Sequence, residues 1–592
     1  MKNALEFYIN QKKKHEEQLA ALSKKLMVSS IIRLVIFLSI CYGIYYFFGN
    51  TNVLVPLVIA GIALFLFLVS RHSNLKDESD KQQELININT TEIDILKNRN
   101  FQMLPEGSEF DDPLHAYSQD IDLFGRGSFF QYLNRTALLE GKRKLAGILK
   151  ENAITNIKKK QEAIKDLAEK AAWRQEFTAL ARLVKTETSS STVLNWFKNY
   201  RFFVPGIMKW LPAVFSVISV AVIVAYALDY ISGIQLALWY FAGLLITGYF
   251  LKKINLLSGS VSKIQDTFHQ YHHLLALLER EGFSSEMMKK NQQLINSEND
   301  KASAIFRKFS KAIDALDQRN NMLFGFFANG FLLWDLRQSY RLEQWISKYR
   351  KNVEKWFEVI EFTDAYNSMG NFAFNHQEYV FPEIKVSKGG ISAKKLGHPL
   401  LNPQKRVDND FNIDNEEFFI ITGANMAGKS TFLRTVSLQI VMSNVGLPIC
   451  AEACSYSPIK LITSMRTSDS LSDDESYFFS ELKRLKFIVD EVKNDRYFII
   501  LDEILKGTNS TDKAIGSKKF VRKLVKSNST GIIATHDLSL CEITAELPQV
   551  KNHYFDAEII NDELNFDYKF KDGICQNMNA SFLLRKMAIV DE

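Results

Sequence analysis

The chain has 592 residues, enough for several domains, and 46% of them are hydrophobic while 24% are charged. This composition excludes a largely disordered protein. The net charge of +6 is too small to indicate a dedicated nucleic-acid-binding domain by itself. The five cysteines are odd in number and scattered, which excludes a disulfide framework and fits a reducing compartment.

In chain order, a polar, charged helix pattern comes first and is followed by two apolar runs, Ile31 to Phe48 and Val53 to Ser70. A second apolar pair follows later, Leu211 to Leu228 and Ile234 to Leu251. Each run has about 18 residues, near the lower limit for crossing a bilayer. The alternative, a set of buried core helices, is disfavoured by the pairing of the runs and by their charged flanks.

Lys and Arg residues precede the first run and follow the second run of each pair. The short connection between the two runs of a pair contains neither residue. The positive-inside rule therefore predicts that both termini and all large segments are cytoplasmic. The first run is followed at once by a second span, so it does not resemble a signal peptide. We predict an integral membrane protein, in a bacterial-type inner membrane, with the lipid bilayer as one partner.

The segments between and after the apolar pairs have helical patterns as far as Pro382, where short β-type runs begin to alternate with helical ones. Asn321 to Trp334 is apolar but short, so it is predicted to be a core helix. Trp334, Trp345 and Trp356 recur at eleven-residue steps, which favours packing in a long helical pair over stacking on bases. The predicted segments are an N-terminal cytoplasmic helix (1–26), transmembrane hairpin 1 (27–70), a helical core (71–200), transmembrane hairpin 2 (201–252), a helical core and lever (253–381) and an α/β ATPase domain (382–592).

The strongest motif is G-x-x-x-x-G-K-S, from Gly423 to Ser430, which follows the buried-strand pattern Phe418–Ile421 and precedes a helical stretch. Strand, glycine-rich loop and helix are the context in which this motif binds the phosphates of a nucleotide. The backbone N–H groups and the helix N-terminus surround phosphate, Lys429 reaches the terminal phosphates, and Ser430 ligates Mg²⁺. The predicted nucleotide-binding residues are Gly423, Asn425, Met426, Ala427, Gly428, Lys429, Ser430 and Thr431.

Two further apolar runs end on polar side chains that such a site requires. The run Tyr497–Leu501 is followed directly by Asp502 and Glu503. Asp502 is predicted to hold Mg²⁺, and Glu503 is predicted to orient or deprotonate the attacking water. Thr530–Ala534 leads to His536, predicted to contact the γ-phosphate. A lone histidine is more often a satisfied surface or core residue, but its place after a third strand favours the phosphate contact.

Taken in order, these motifs resemble those of the MutS family of DNA mismatch-repair ATPases. Thr422–Arg434 resembles TGPNMAGKST, with Ala424 in place of proline, and Asp469–Leu482 resembles the signature segment around STFMxE. Asp502–Thr508 resembles DEIGRGT, and Ala534–His536 matches ATH. Gly397–Leu400 resembles the family's entry to its ATPase domain. More weakly, the stretches Asp122–Gly125 and Tyr132–Thr136 look like the start of its helical core.

The resemblance implies a C-terminal α/β P-loop NTPase domain of the ABC/MutS type, preceded by a mostly helical core and lever region that the transmembrane hairpins interrupt. It implies hydrolysis of ATP to ADP and phosphate with Mg²⁺, in a homodimer whose sites are completed in trans by Ser476. Catalytic roles then fall to Glu503, His536 and Lys429. Double-stranded DNA and a role related to mismatch repair are the implied partner and process.

Three departures from the family pattern accompany this resemblance. The first 26 residues leave no room for a mismatch-reading domain, and the hairpin from Leu211 to Leu251 interrupts the core where a DNA clamp is expected. The sequence ends soon after Arg585-Lys586-Met587, without the family's dimerisation helices. An ATP-driven dimer that remodels membranes or proteins, or acts as a scaffold, without DNA is therefore the alternative. An ABC-type transporter is disfavoured because no LSGGQ-type sequence lies between the P-loop and Asp502.

Overall fold

The structure, a computed structural model, describes residues 2–184, 188–296, 301–385, 390–424, 426–466, 477–506, 508–560 and 563–576. Within these residues the α-helices are α1 (Lys2–Tyr46), α2 (Thr51–Asn98), α3 (Phe129–Leu133), α4 (Leu139–Lys150), α5 (Ile157–Glu169), α6 (Ala171–Arg182), α7 (Ser190–Asn199), α8 (Leu211–Ala227), α9 (Gly233–Val261), α10 (Gln265–Arg280), α11 (Glu286–Gln293), α12 (Ala302–Asp317), α13 (Met322–Leu332), α14 (Trp334–Asn375), α15 (Lys429–Asn444), α16 (Tyr477–Glu491) and α17 (Ser510–Lys526). The strands are β1 (Glu383–Ile384), β2 (Ile391–Leu396), β3 (Asn409–Ile413), β4 (Phe418–Gly423), β5 (Ala453–Tyr456), β6 (Lys460–Ser464), β7 (Tyr497–Asp502), β8 (Thr530–Ala534), β9 (Val550–Phe555), β10 (Glu558–Ile560), β11 (Glu563–Asn565) and β12 (Lys571–Asp572).

Helices α1 and α2 form a long antiparallel hairpin. Glycines allow the two helices to approach closely, because a Cβ atom on Gly43 would lie 2.8 Å from a methyl group of Leu57. Each helix joins an apolar part to a polar part without a break, so the predicted segment limits at residues 26 and 70 fall inside continuous helices.

Among the described residues, α1, α2 and α9 are long and apolar enough to cross a membrane by length and composition. In the most apolar 18-residue stretch of each helix, only 6% of the residues are buried in α1 and in α2, and 11% in α9. These apolar surfaces are therefore exposed rather than covered by protein, unlike the surfaces of core helices. Helix α8, which covers most of the third predicted run, is shorter, with 17 residues.

The prediction that Asn321 to Trp334 is a core helix is wrong, because one face of helix α13 is exposed. Its Gly325, Ala328 and Asn329 are buried, but Leu323 is 85% exposed and Phe326 is 57% exposed. This segment has the composition of a core helix, but the rest of the protein packs against only one face of it.

The helical part of the chain packs around the 42-residue helix α14. Helices α12 and α14 form an antiparallel pair in which the indole N–H of Trp345 donates to the carbonyl of Ile305 at 2.9 Å, and that of Trp334 to Ala315 at 2.7 Å. This pair confirms that the regularly spaced tryptophans pack within helices.

A buried polar network ties the polar half of the first hairpin to the far end of α14. The Glu92 carboxylate of α2 accepts hydrogen bonds from Arg135 at 2.5 Å, Asn371 at 3.1 Å and Asn375 at 2.8 Å. The Tyr8 hydroxyl of α1 bonds to the side-chain oxygen of Asn375 at 2.8 Å. Because buried polar groups are costly when unpaired, this network fixes the position of the hairpin on α14.

The C-terminal part of the chain is an α/β domain. Its main sheet has the strand order β12-β9-β4-β8-β7-β6, parallel except for β12, and a second sheet has the order β1-β5-β2-β3. The three apolar runs that precede the predicted site residues form the strands β4, β7 and β8. This confirms the prediction that these runs are buried strands. These strands are neighbours in the sheet, so their carboxyl ends meet at one edge.

Candidate nucleotide site

The predicted site residues meet where β4, β8 and β7 end. Lys429 and Ser430 open α15 directly after the loop that follows β4. Asp502 is the last residue of β7, and His536 lies two residues beyond β8. The sheet therefore brings together side chains that are about 70 to 110 residues apart in the sequence.

The loop between β4 and α15 has the backbone geometry of a tight phosphate-type loop. Gly423 has a φ of 146°, and a Cβ atom there would lie 2.5 Å from the carbonyl oxygen of Phe555, so only glycine fits. Gly428 has a φ of 105° and immediately precedes the N-terminus of α15. Met426 is 78% exposed and Ala427 is fully buried, whereas Asn425 lies outside the described residues.

Lys429 is buried beneath this loop. Its ammonium group donates to the carbonyl oxygens of Gly423 at 2.7 Å and Ala424 at 2.9 Å. Burial lowers the pKa of Lys429, while the carboxylates of Asp502 and Glu503 act in the opposite direction. The site thus places a lysine cation at the N-terminus of α15, a position where anions are favoured.

Ser430 and Asp502 form an oxygen pair next to the lysine. The Ser430 hydroxyl donates to the Asp502 carboxylate at 2.7 Å, and both groups are accessible from solvent. A hydroxyl and a carboxylate are hard oxygen ligands of the type that Mg²⁺ takes. Thr431, the next predicted residue, is exposed at the start of α15.

Glu503 and His536 form the second pair. The Nε2 atom of His536 lies 2.9 Å from a carboxylate oxygen of Glu503 and 3.3 Å from the ammonium of Lys429. The hydrogen bond from His536 lowers the pKa of Glu503 to about 2, and Lys506, 3.5 Å away, acts in the same direction. Glu503 therefore stays ionised at neutral pH, and it has a φ of 51°, an uncommon backbone state for a non-glycine residue.

Glu481 has a position that the sequence motif did not explain. It lies on α16, is only 2% exposed, and accepts the backbone N–H groups of Leu505 at 2.5 Å and Lys506 at 3.1 Å. These contacts fix the turn that follows Glu503, so Glu481 positions the acidic strand end. Ser476, predicted to act across the dimer, lies outside the described residues.

A loop of the helical core also reaches this edge of the sheet, which sequence reasoning missed. Asp122 pairs with Arg434 of α15 at 3.0 Å and with Arg466, just beyond β6, at 2.7 Å. The neighbouring Asp120 accepts the backbone N–H of Arg466 at 2.8 Å and the Thr463 hydroxyl at 2.6 Å. The helical core is therefore attached to the site through two acidic residues of one loop.

The fold and the site define a C-terminal α/β domain in which a lysine, a histidine, a serine and two carboxylates converge at the end of a parallel sheet. Residues 419–588, which make up most of that domain, match the family model described as MutS domain V. The matched region is less than half of the chain.

Several proteins are similar over a little more than a third of the chain. "MutS protein homolog 4" of Homo sapiens is 31% identical over 214 residues, which are 34% of this chain and 22% of the human protein. "DNA mismatch repair protein MutS" of Thermotoga maritima is 28% identical over 230 residues, 38% of this chain and 29% of that protein. The protein of the same description from Flavobacterium psychrophilum is 29% identical over 244 residues, 39% of this chain and 28% of that protein. The similarity thus spans less than a third of each relative.

Proposed function

We propose that this chain is a membrane-anchored, MutS-like ATPase that works as a homodimer. The observation that carries the proposal is the convergence of Lys429, the Ser430–Asp502 pair and the Glu503–His536 pair at one edge of the sheet. The similarity of this domain to MutS proteins supports the same assignment.

The residues at the sheet edge fit ATP and Mg²⁺. The positive-φ glycine before α15 and the helix N-terminus suit phosphate, and Ser430 with Asp502 supplies the oxygen ligands for the cation. When bound, MgATP would supply the phosphoanhydride bond and the cation that offsets its charge. Lys429 would donate to the terminal phosphate oxygens and Glu503 would accept a hydrogen bond from the attacking water. The hydrogen bond from His536 lowers the pKa of Glu503, which keeps the carboxylate ionised and able to orient the water.

The dimer and the membrane anchor complete the proposal. By resemblance, Ser476 of each protomer completes the site of its partner, so that ATP closes the dimer and hydrolysis releases it. The exposed apolar windows of α1, α2 and α9 fit burial in acyl chains, and the flanking Lys and Arg residues fit a cytoplasmic ATPase domain.

We further propose that hydrolysis is coupled to duplex DNA, in a role related to mismatch repair. The names of the similar proteins from Thermotoga maritima and Flavobacterium psychrophilum favour this partner. The alternative is a dimer that remodels membranes or proteins without DNA, and the exposed apolar helices are the observation that favours it.

The test is the ATPase rate of the detergent-purified full chain alone, with homoduplex DNA and with mismatched DNA. We expect both duplexes to raise the rate equally, because contacts to phosphates carry no sequence information. The affinity for DNA should fall steeply as salt is raised, as expected for release of counterions. Basal hydrolysis without any binding to DNA at low salt would favour the alternative, and no hydrolysis under any condition would contradict the ATPase assignment.

Replacing Glu481 by alanine is expected to slow hydrolysis more than it weakens nucleotide binding. The substitution removes a charged acceptor for two backbone N–H groups, each contact worth about 1.5–3 kcal/mol. Because the turn after Glu503 then loosens, we expect kcat to fall by about 10- to 100-fold, as for a displaced catalytic group. Steady-state hydrolysis and nucleotide titration measure the two effects.

The matched control for this prediction is Lys486→Ala on the same helix, where the lysine is exposed and pairs with Asp490. It should leave both quantities unchanged. Equal loss of kcat and of nucleotide affinity in Glu481→Ala would show that the residue supports the whole site rather than the acidic strand end.

A further inference from the structure

Helix α13 packs against the segment of α9 that we assign to the bilayer. A Cβ atom on Gly243 of α9 would lie 2.2 Å from the carbonyl oxygen of Gly330, so the two backbones are in direct contact. The rings of Tyr240 and Phe331 are 5.2 Å apart, and a Cβ on Gly330 would lie 2.1 Å from the Tyr240 ring. Small residues that let two helices approach in this way are typical of helix pairs inside membranes.

The opposite face of α13 is an apolar stripe, here defined as Met322, Leu323, Phe326 and Phe327. These side chains are 72%, 85%, 57% and 58% exposed, and their spacing places them on one side of the helix. A contiguous exposed stripe of large apolar side chains indicates an interaction surface. The other face of the same helix contacts α9, which has exposed apolar residues of its own, such as Leu238 and Leu245.

The side chains of Asn321 and Asn329, near the two ends of α13, have partners within the protein. The Asn321 side chain accepts the N–H of Phe324 at 3.3 Å, and the Asn329 side chain accepts the N–H of Asp335 at 2.9 Å. Asp335 is 1% exposed and pairs with Arg319 at 2.9 Å. These contacts reduce the number of polar groups that α13 would leave unpaired in lipid, where unpaired groups are costly.

The helices on either side of α13 carry positive charge. Lys308, Lys311, Arg341 and Lys348 line a cavity of about 670 Å³ between α12 and α14. Arg337 lies one helical turn before Arg341, so two like charges adjoin at the start of α14. The nearby Asp314 and Asp317 bond to Gln265 and Ser262. These basic residues, here called the basic rim, lie on the two helices that precede and follow the apolar stripe in the chain. Apolar and basic surfaces in succession match the layered chemistry of an anionic lipid surface.

We propose that α13 inserts its apolar stripe into the bilayer as a third membrane-embedded helix beside α8 and α9, with the basic rim at the level of anionic headgroups. The helix has 11 residues and is about 16 Å long, too short to cross a hydrocarbon core of about 30 Å. It therefore enters one leaflet from the cytoplasmic side. This inference rests on the proposed membrane anchor and extends it to the junction between hairpin 2 and α14.

The test uses a fluorophore at Leu323→Cys in the full chain, reconstituted in nanodiscs that contain anionic lipid. Cys41 is replaced by serine, because it is exposed while the other four cysteines are buried. Two reference positions are labelled in the same way: Leu245→Cys on α9, and Lys351→Cys on the exposed surface of α14. Fluorescence is then quenched either by lipids with a quencher in the acyl chain or by iodide in water.

We expect the label at Leu323→Cys to lose fluorescence to the lipid quencher, as the label at Leu245→Cys does, and to resist iodide. The label at Lys351→Cys should show the opposite pattern. Replacing the anionic lipid by a zwitterionic one should reduce lipid quenching at Leu323→Cys but not at Leu245→Cys.

The possible outcomes separate this inference from the membrane anchor itself. Iodide quenching at Leu323→Cys with lipid quenching at Leu245→Cys overturns the insertion of α13 and leaves the anchor intact. Protection of Leu323→Cys from both quenchers also overturns it, since a second protomer or DNA then covers the stripe. Iodide quenching at Leu245→Cys overturns both proposals. An unchanged ATPase rate in each labelled variant confirms that the chain is folded.

Discussion

Replacing Glu503 by glutamine is expected to slow ATP hydrolysis by about 100-fold or more while ATP remains bound. Glutamine keeps the shape of the side chain but removes the charge that His536 and Lys506 contact at 2.9 and 3.5 Å. The water then loses its anionic partner, whereas Lys429 and the Ser430–Asp502 pair are untouched. Since hydrolysis releases the proposed dimer, the variant should accumulate as an ATP-bound dimer. Single-turnover hydrolysis and sedimentation velocity in detergent measure the two effects.

The control for this variant is Glu546→Gln, which removes a carboxylate from an exposed pair with Arg522 on the same domain. It should hydrolyse ATP at the rate of the unchanged protein and should not accumulate as a dimer. A Glu503→Gln protein that binds ATP but remains monomeric would contradict the dimer mechanism and leave the site assignment standing.

Replacing Lys429 by alanine is expected to weaken ATP binding by up to about 100-fold. The ammonium group lies beneath the loop between β4 and α15, where it donates to the carbonyl oxygens of Gly423 and Ala424, and 6% of the residue is exposed. Hydrogen bonds to charged groups contribute about 1.5–3 kcal/mol, and each 1.4 kcal/mol is a factor of ten in affinity. Titration with a fluorescent ATP analogue measures the loss, and hydrolysis should disappear with it.

Lys518→Ala is the matched control, because Lys518 lies on α17 of the same domain and pairs with Glu542 near the surface. Its affinity for ATP should not change. Unchanged affinity in Lys429→Ala would remove the lysine from the nucleotide site and, with it, the central assignment of the loop.

The strands and the residues at their ends could be predicted because their signals are local. An apolar run that ends on Asp502 and Glu503, or a glycine loop that opens a helix at Lys429, is visible in a short window of sequence. The carboxyl ends of parallel strands share one edge of a sheet, whereas the order β4-β8-β7, which makes these ends neighbours, is known only from the structure.

The contacts of Asp122 could not be predicted in the same way. Its partner Arg466 is 344 residues away, and nothing in the local pattern distinguishes this aspartate from an exposed one. Glu481 belonged to a recognised motif, but its two backbone partners depend on how α16 packs against the turn after β7. Composition likewise made α13 a core helix, because apolar residues alone do not distinguish a buried face from an exposed one.

The bond between Tyr8 and Asn375 has a consequence for the order of events during synthesis. The two residues are 367 positions apart. At about 5–20 residues per second, the ribosome reaches Asn375 roughly 20 to 70 s after it has made Tyr8. During this interval Glu92 of the α1–α2 hairpin still lacks its partners Asn371 and Asn375. The first hairpin therefore docks late, and its contact with α14 forms only after most of the helical core has been translated.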